Sequence, residues 1–241
     1  MPGIGRDRGQ PVGERVASWQ PPPWPAAERV EGRYCDLEPL APKQHAEALF
    51  RAIREDRDGR SWTYMPYGPF PSLPAYREWM KGATAGSDPL FFAVVPHDRG
   101  APAGVASYLR ITPQSGSIEV GHIHYAPCLQ GSIAATEAMF LMMQTVFALG
   151  YRRYEWKCDA LNVASRRAAQ RLGFSYEGIF RQATVYKGRN RDTAWYAAID
   201  KDWPALLEAF TRWLDPANFD AHGDQRLRLS ELTAPMLQAR S

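Results

Sequence analysis

The order of the predicted elements places this chain in the α/β class, or its α+β variant, built on one central mixed sheet. Three observations carry that reading. Strand-like segments come first, a strand–helix–strand unit follows between residues 117 and 158, and a long hairpin closes the pattern before a last helix. The chain has 241 residues, 45% of them hydrophobic, enough for one large domain with a real core. Its 19 Gly and 20 Pro follow no fixed period, so it is not collagen-like, and its apolar content excludes wholesale disorder.

Residues 1–29 read as a Pro-rich N-terminal arm. Trp19, Gln20, Pro21, Pro22, Pro23, Trp24 and Pro25 favour extended backbone and cannot form a helix. The two Trp residues are free to lie on the folded body or on a partner subunit. Residues 30–200 hold the regular structure. Residues 32–40 alternate polar and apolar and end near a proline, as a strand does. Residues 42–56 place Ala46, Leu49, Phe50 and Ile53 at helical spacing behind Pro42. An aromatic loop follows, with Trp62, Tyr64, Tyr67 and Phe70 punctuated by Pro66 and Pro69.

Residues 74–81 form a short helix, and strands 90–95 and 103–111 pair across Asp98, Arg99 and Gly100. A strand over residues 117–125 is bounded by Gly116 and Pro127. The strongest helix spans residues 133–148, where Met139, Met142, Met143, Val146 and Phe147 share a stripe and Gly150 ends it. Residues 151–158 then make a strand parallel to the 117–125 strand. A helix over 162–172 stops at Gly173, and residues 175–186 and 192–200 form a hairpin turning at 187–190. Residues 201–241 give an amphipathic helix, 203–214, and a polar tail.

The charge balance, 29 Lys+Arg against 26 Asp+Glu, leaves only +3. That is too mild for a dedicated nucleic-acid binder. Cys35, Cys128 and Cys158 are odd in number and well separated, which points to a reducing cytosol rather than a disulfide framework. No stretch reaches the roughly 18 apolar residues of a membrane helix, and the first ten residues carry charges where a signal peptide would be apolar. The expectation is a cytoplasmic protein.

Two segments carry the chemistry. Gln130, Gly131, Ser132, Ile133, Ala134, Ala135, Thr136, Glu137 and Ala138 stand between a strand and the best helix. Small residues there let backbone N–H groups approach an anion, and the helix dipole assists. The segment is neither a Walker A loop nor a dinucleotide GxGxxG, and alone it fits a plain Ala-rich helix start equally well. One strand later come Asn162, Ser165, Arg171, Leu172, Gly173 and Phe174, with Gly178 beyond. With this ordered pair, the chain over residues 32–200 resembles the GNAT superfamily of acyl-CoA-dependent N-acetyltransferases, in its RimJ/RimL-like branch. The pyrophosphate-loop pattern Gln/Arg-x-x-Gly-x-Gly/Ala, followed by Thr-Glu-Ala, maps to residues 130–138. The branch's Asn-x-x-Ser and Gly-Phe map to Asn162, Ser165, Gly173 and Phe174.

The resemblance implies a mixed, mostly antiparallel sheet flanked by helices, with acetyl-CoA bound at the βαβ unit. The pyrophosphate would lie on the N–H groups of residues 131–136, beside Gln130. Pantetheine would run along the strand ending near Tyr125, with Asn162 holding the arm. The reaction implied is direct attack by a primary amine, from a small molecule or a peptide N-terminus, with no covalent enzyme intermediate. Two positions depart from the pattern: Ile133 replaces its usual first Gly, and Ala169 stands where the family's frequent Tyr acid would be, a Tyr this branch lacks.

An alkyl amine is mostly protonated at neutral pH, so the chemistry asks for a base. Glu119 is the candidate the resemblance supplies, acting through a water; a solvated or salt-bridged strand Glu is the alternative. Ser165 is the candidate proton donor to the leaving thiolate, or else a helix-start hydroxyl. His122 and His124 share one strand face by its period of two, opposite Glu119, unless a bulge brings them together. They and Asp159 are candidates for the acceptor site; no carboxylate or Cys at ligand spacing supports a metal. Trp62, Tyr64 and Tyr67 supply apolar contact and cation–π attraction for an ammonium. Trp19, Trp24 and the helix carrying Trp203, Phe210 and Trp213 offer a homodimer contact. The rival to an enzyme is an idle acyl-CoA-binding module for sensing or scaffolding. A Ser or Cys hydrolase lacks its G-x-S-x-G elbow.

Overall fold

The computed structural model describes residues 5–241, with side chains from residue 8 onward; the reading of the first four residues lies outside it. A small hairpin, β1 (Gly5–Asp7) and β2 (Gln10–Val12), precedes the main sheet. The sheet strands are β3 (Val30–Glu31), β4 (Cys35–Pro39), β5 (Leu90–Pro96), β6 (Gly104–Thr112), β7 (Ser117–Tyr125), β8 (Arg153–Asp159), β9 (Ser175–Tyr186) and β10 (Arg189–Ile199). They lie in the order β3-β4-β5-β6-β7-β8-β10-β9, antiparallel everywhere except between β7 and β8. The fold is therefore mixed α/β with an open, mostly antiparallel sheet flanked by helices, as expected.

Helices α1 (Pro42–Ile53) and α2 (Leu73–Ala83) cover one face, where Trp62, Tyr76, Met80, Phe91 and Val105 pack. Helices α3 (Ile133–Ala148), α4 (Val163–Arg171) and α5 (Trp203–Leu214) belong to the other face and its larger core. The single apolar stripe read on α3 understates it. The helix buries Ala134 to Met139 as well as Leu141 to Met143, because α5 covers the side turned away from the sheet. Phe140 stacks on Phe210 and Phe147 on Trp203.

The apolar mass expected to meet a partner is thus largely spent inside the chain, with Phe210 and Trp213 buried. Trp19 lies over Arg152 and Gly116, while Trp24 is exposed. The polar tail contains a further short helix, α6 (Leu229–Thr233), whose Leu229 and Thr233 are buried.

Two features position the site. Glu137, in the middle of the Thr-Glu-Ala run, is buried and accepts the backbone N–H groups of Arg33, Tyr34 and Cys35, which staples α3 to the turn before β4. The second is a break in register. Strands β7 and β8 pair from Ser117↔Arg153 to Val120↔Trp156 and then part. At that point His122 adopts φ of 50° and the β6–β7 register slips by one residue. A bulge bends its strand, and here it opens a V between the two parallel strands.

Candidate active site

A cleft of about 730 Å³ occupies the mouth of that V. One wall is the turn from β7 into α3. Gly131 has φ of 73°, where a side chain would be strained, and nothing lies within 4 Å of the place a Cβ would take. Ser132 caps α3, accepting the Ala135 N–H at 3.0 Å and donating to Leu129 O at 2.7 Å. The Ser132 N–H bonds to Leu129 O and the Thr136 N–H to Ser132 O. Of the six N–H groups expected at a pyrophosphate, those of Gly131, Ile133 and Ala134 are left without a partner among the described residues. Ile133 turns its side chain onto the core, so the branched residue leaves its N–H clear.

The cleft carries cations to which the sequence assigns no role, although Arg171 stands within the second segment singled out there. Arg60, Arg167 and Arg171 line it, and no Asp or Glu does. Arg171 donates to Thr136 Oγ1 at 3.1 Å and lies over the Trp213 ring; burial pulls its guanidinium below the usual range. The C-terminal segment supports this end: Gln225 lines the cleft, and its Oε1 accepts Trp213 Nε1 at 2.7 Å. The i, i+4 spacing of Arg167 and Arg171 on one helix was the signal to follow.

Asn162 caps α4 through its carbonyl oxygen, which accepts the Ser165 N–H at 3.1 Å, so only its amide group remains for a ligand. Ser165 Oγ accepts Trp156 Nε1 at 3.0 Å, which leaves its own proton to donate. Ala169 is fully buried. Gln130 lines the cleft and donates to Tyr125 O at 2.8 Å; the Tyr125 hydroxyl is buried without a partner.

The opposite wall is the face of α1 and α2. The bulge cancels the period of two: Ile118 and Val120 point into the α3 core, while His124 stacks on Trp62 in the other core, on the side that Glu119 faces. His124 lines the cleft; Glu119 does not. The Glu119 carboxylate is held at 2.7 Å by Arg110 and at 2.8 Å by Lys157, which also binds Glu155 and lies over the Trp195 ring. Burial raises the Glu119 carboxyl above its usual range, against the pull of Lys157 and Arg110. His122 and His124 are both pushed down to about 4, chiefly by burial.

The aromatic loop closes over these groups. Tyr67 OH meets His122 Nδ1 at 3.1 Å, Tyr64 OH donates to Leu161 O at 3.2 Å, and Lys187 donates to Trp62 O at 2.8 Å. Gly68, at φ of 70°, lets the backbone press against Trp62, where a Cβ would collide with the indole. Trp62, Tyr67 and His122 stand behind the cleft wall, whereas Tyr64 lines it. Asp159 has both oxygens committed, to Tyr186 OH and Leu161 N–H, and stands outside the cleft lining. No group of three or more His, Cys, Asp or Glu capable of holding a metal occurs among the described residues. No helix among them is long and apolar enough to cross a membrane.

Residues 36–175 match the family model described as acetyltransferase (GNAT) domain. Of solved structures, a GCN5-related N-acetyltransferase from Brucella melitensis is 45% identical, with a TM-score of 0.89 over 91% of this chain and 100% of that one. A GNAT-family protein from Chromobacterium violaceum ATCC 12472 is 38% identical, with a TM-score of 0.76 over 81% of this chain and 98% of that one. RimL, a ribosomal L7/L12 alpha-N-protein acetyltransferase in complex with coenzyme A, is 22% identical, with a TM-score of 0.60 over 72% of this chain and 99% of that one. It is similar in fold. No curated protein matches the chain.

Proposed function

Because the chain belongs to the GNAT acetyltransferase family, we propose that it transfers an acetyl group from acetyl-CoA to a primary amine, within the RimJ/RimL-like branch. The observation that carries this is the pairing of three unpartnered N–H groups at a helix N-terminus, those of Gly131, Ile133 and Ala134, with the adjoining cleft, which is lined by three arginines and no carboxylate. Such a wall suits a polyanion. In this reading Gly131, Ile133 and Ala134 hold the pyrophosphate, Arg171 and Arg167 answer its remaining charge, and the free edge of β7 past Val120 receives the pantetheine amides. Acetyl-CoA, once bound, supplies the activated thioester.

The chain's own groups then do the rest. Ser165 gives a proton toward the departing sulfur. The amine's proton has two exits, Glu119 through a water or the histidines at the bulge. The acceptor enters from the aromatic loop, as a small amine or a peptide N-terminus. RimL is an alpha-N-protein acetyltransferase, which supports testing peptides first. Three free cysteines suit a reducing cytosol. An idle acyl-CoA binder has no use for Ser165 and His124 converging on the same cleft.

Thiol release from acetyl-CoA, measured against peptides and small amines, tests the reading. Turnover with at least one amine is expected. Calorimetric binding of CoA with no thiol release across the whole panel would instead favour the idle module.

A further inference from the structure

A line of hydrogen bonds runs from the cleft wall to the loop that follows α1. His124 and Ser61 both line the cleft, and His124 Nε2 stands 2.8 Å from Ser61 Oγ. That hydroxyl stands 2.5 Å from Asp56 Oδ2, and the Ser61 backbone N–H reaches the same oxygen at 2.9 Å. Burial raises the Asp56 carboxyl, but the hydrogen bonds from Ser61 outweigh it and hold the group below its usual range. An ionised carboxylate only accepts, so the serine proton points to Asp56. Ser61 Oγ is then the acceptor for the imidazole, whose proton must sit on Nε2. The other ring nitrogen, Nδ1, keeps its lone pair and has no hydrogen-bond partner among the described residues. Trp62 stacks on the ring with 3.6 Å between centroids, a face that welcomes a cation.

We propose that Asp56 and Ser61 form a positioning relay that fixes His124 in its Nε2–H tautomer and makes Nδ1 the acceptor of the amine's proton. The proposal rests on the acetyl-transfer reading. As the amine nitrogen bonds to the thioester carbonyl carbon, one of its protons moves to Nδ1. The C–S bond breaks, sulfur leaves with the electron pair and takes the Ser165 proton, and the proton on Nδ1 passes through water to Ser165 Oγ. An amide and a free thiol result, and the imidazole is restored. Asp56 stabilises the transient imidazolium through Ser61, in the way a carboxylate orients a catalytic imidazole in hydrolases, but with a hydroxyl between the two.

His124 rests neutral because burial disfavours its charge, with Asp56 pulling the other way. The other charged or titratable groups on the surrounding elements include Asp58, which hydrogen-bonds Asp56 and pairs with Arg60 at 3.8 Å, Arg110 and His122 on the bulged strands, and Lys187, which ties the hairpin to Trp62. None of them replaces Asp56 at Ser61. No local pattern announces this line, since Asp56 and Ser61 lie 68 and 63 residues from His124 and meet it only in the folded chain.

Nitrogen-15 NMR of histidine-labelled full-length protein reads the tautomer, with the His124 signal assigned by its loss in His124→Gln. The Nε2–H form is expected in the wild type and in Glu119→Gln, which leaves the relay intact. Asp56→Asn sets an amide donor against Ser61, so the hydroxyl turns toward Nε2 and the ring shifts to its Nδ1–H form. Its kcat should fall roughly 10²-fold with KM for acetyl-CoA unchanged. If Asp56→Asn does not fold, Ser61→Ala removes the middle link and should show the same kcat–KM split. An Nδ1–H ring in the wild type, or unchanged kcat in a folded relay variant, overturns the proposal. Failure of the acetyl-transfer reading is seen separately, as wild-type protein that acetylates no amine while its tautomer is still readable.

Discussion

The two walls of the cleft hold charge in opposite ways. On the side proposed for the cofactor the binding groups are free of anionic partners: backbone N–H groups fixed by a turn and a helix, and Arg171 held only by the Thr136 hydroxyl and the Trp213 ring. On the acceptor side the charges are already spent on each other, with Glu119 between Arg110 and Lys157, and Lys157 shared with Glu155. An open set of donors suits a permanent anion, whose charge does not change during the reaction. A compensated set suits a group that must end neutral and nucleophilic. Helix α3 shows the same contrast within itself, since Glu137 is satisfied by three backbone N–H groups and serves only to hold the wall in place.

The largest break in this contrast is Gly131→Glu. It puts an anion where the pyrophosphate would lie and forces a side chain onto φ of 73°. CoA binding, followed by calorimetry, should be lost in a protein that still melts cooperatively. Intact affinity would remove the turn from the site.

Acid should loosen the acceptor side first. His122 and His124 hold folded values of about 4 against an unfolded value near 6.5. Between those values the unfolded chain binds more protons, so stability is full above about pH 6.5 and falls as the pH drops toward 4. The loss is at most about 3 kcal/mol per histidine. Urea unfolding at stepped pH should show the slope, and His122→Gln and His124→Gln should each flatten it; an unchanged slope in both would mean the rings are hydrated in the fold.

Arg171→Gln keeps a donor for Thr136 but removes the charge. Hydrogen bonds to charged groups contribute about 1.5–3 kcal/mol, so CoA affinity should fall by roughly 10- to 10²-fold, and more at low salt. An effect confined to the acceptor amine would place Arg171 on the wrong wall. Glu119→Gln should be milder, lowering kcat/KM for the amine by about tenfold and less than His124→Gln does, because Glu119 stands behind the wall. A larger loss than in His124→Gln would restore Glu119 as the direct base. Asn162→Ala is the smallest: one hydrogen bond, about 0.5–1.5 kcal/mol, seen as a modest rise in KM for acetyl-CoA. If only thermal stability changes, Asn162 is a helix cap and nothing more.

Much of the scaffold was legible before folding. The periodicity of residues 117–125, 133–148 and 203–214 gives the same bounds as the strand and helices found there. Gly150, Gly173 and the prolines stop elements where the backbone conformation requires it. The turn at Gly131 and the cap at Ser132 follow from local chemistry alone, and both fall within the nine consecutive residues, 130–138, that stand out in the sequence. The acceptor side could not. His122 and His124 looked opposed to Glu119 because a strand read from sequence keeps its period of two, and no residue type announces a bulge at a histidine with φ of 50°.

Sequence by itself determined the βαβ unit, the helix N-terminus aimed at the V and the residue types gathered around it. These depend on contacts between neighbours in the chain, whose geometry is set by backbone sterics and short-range hydrogen bonds. Only the tertiary structure decided which charges stay unpaired, which carboxylate is clamped by Arg110 and Lys157, and which histidine reaches the cleft. Those outcomes depend on residues far apart in sequence being desolvated together. The energy of a buried charge is set by what the fold brings beside it, not by what the chain places next to it.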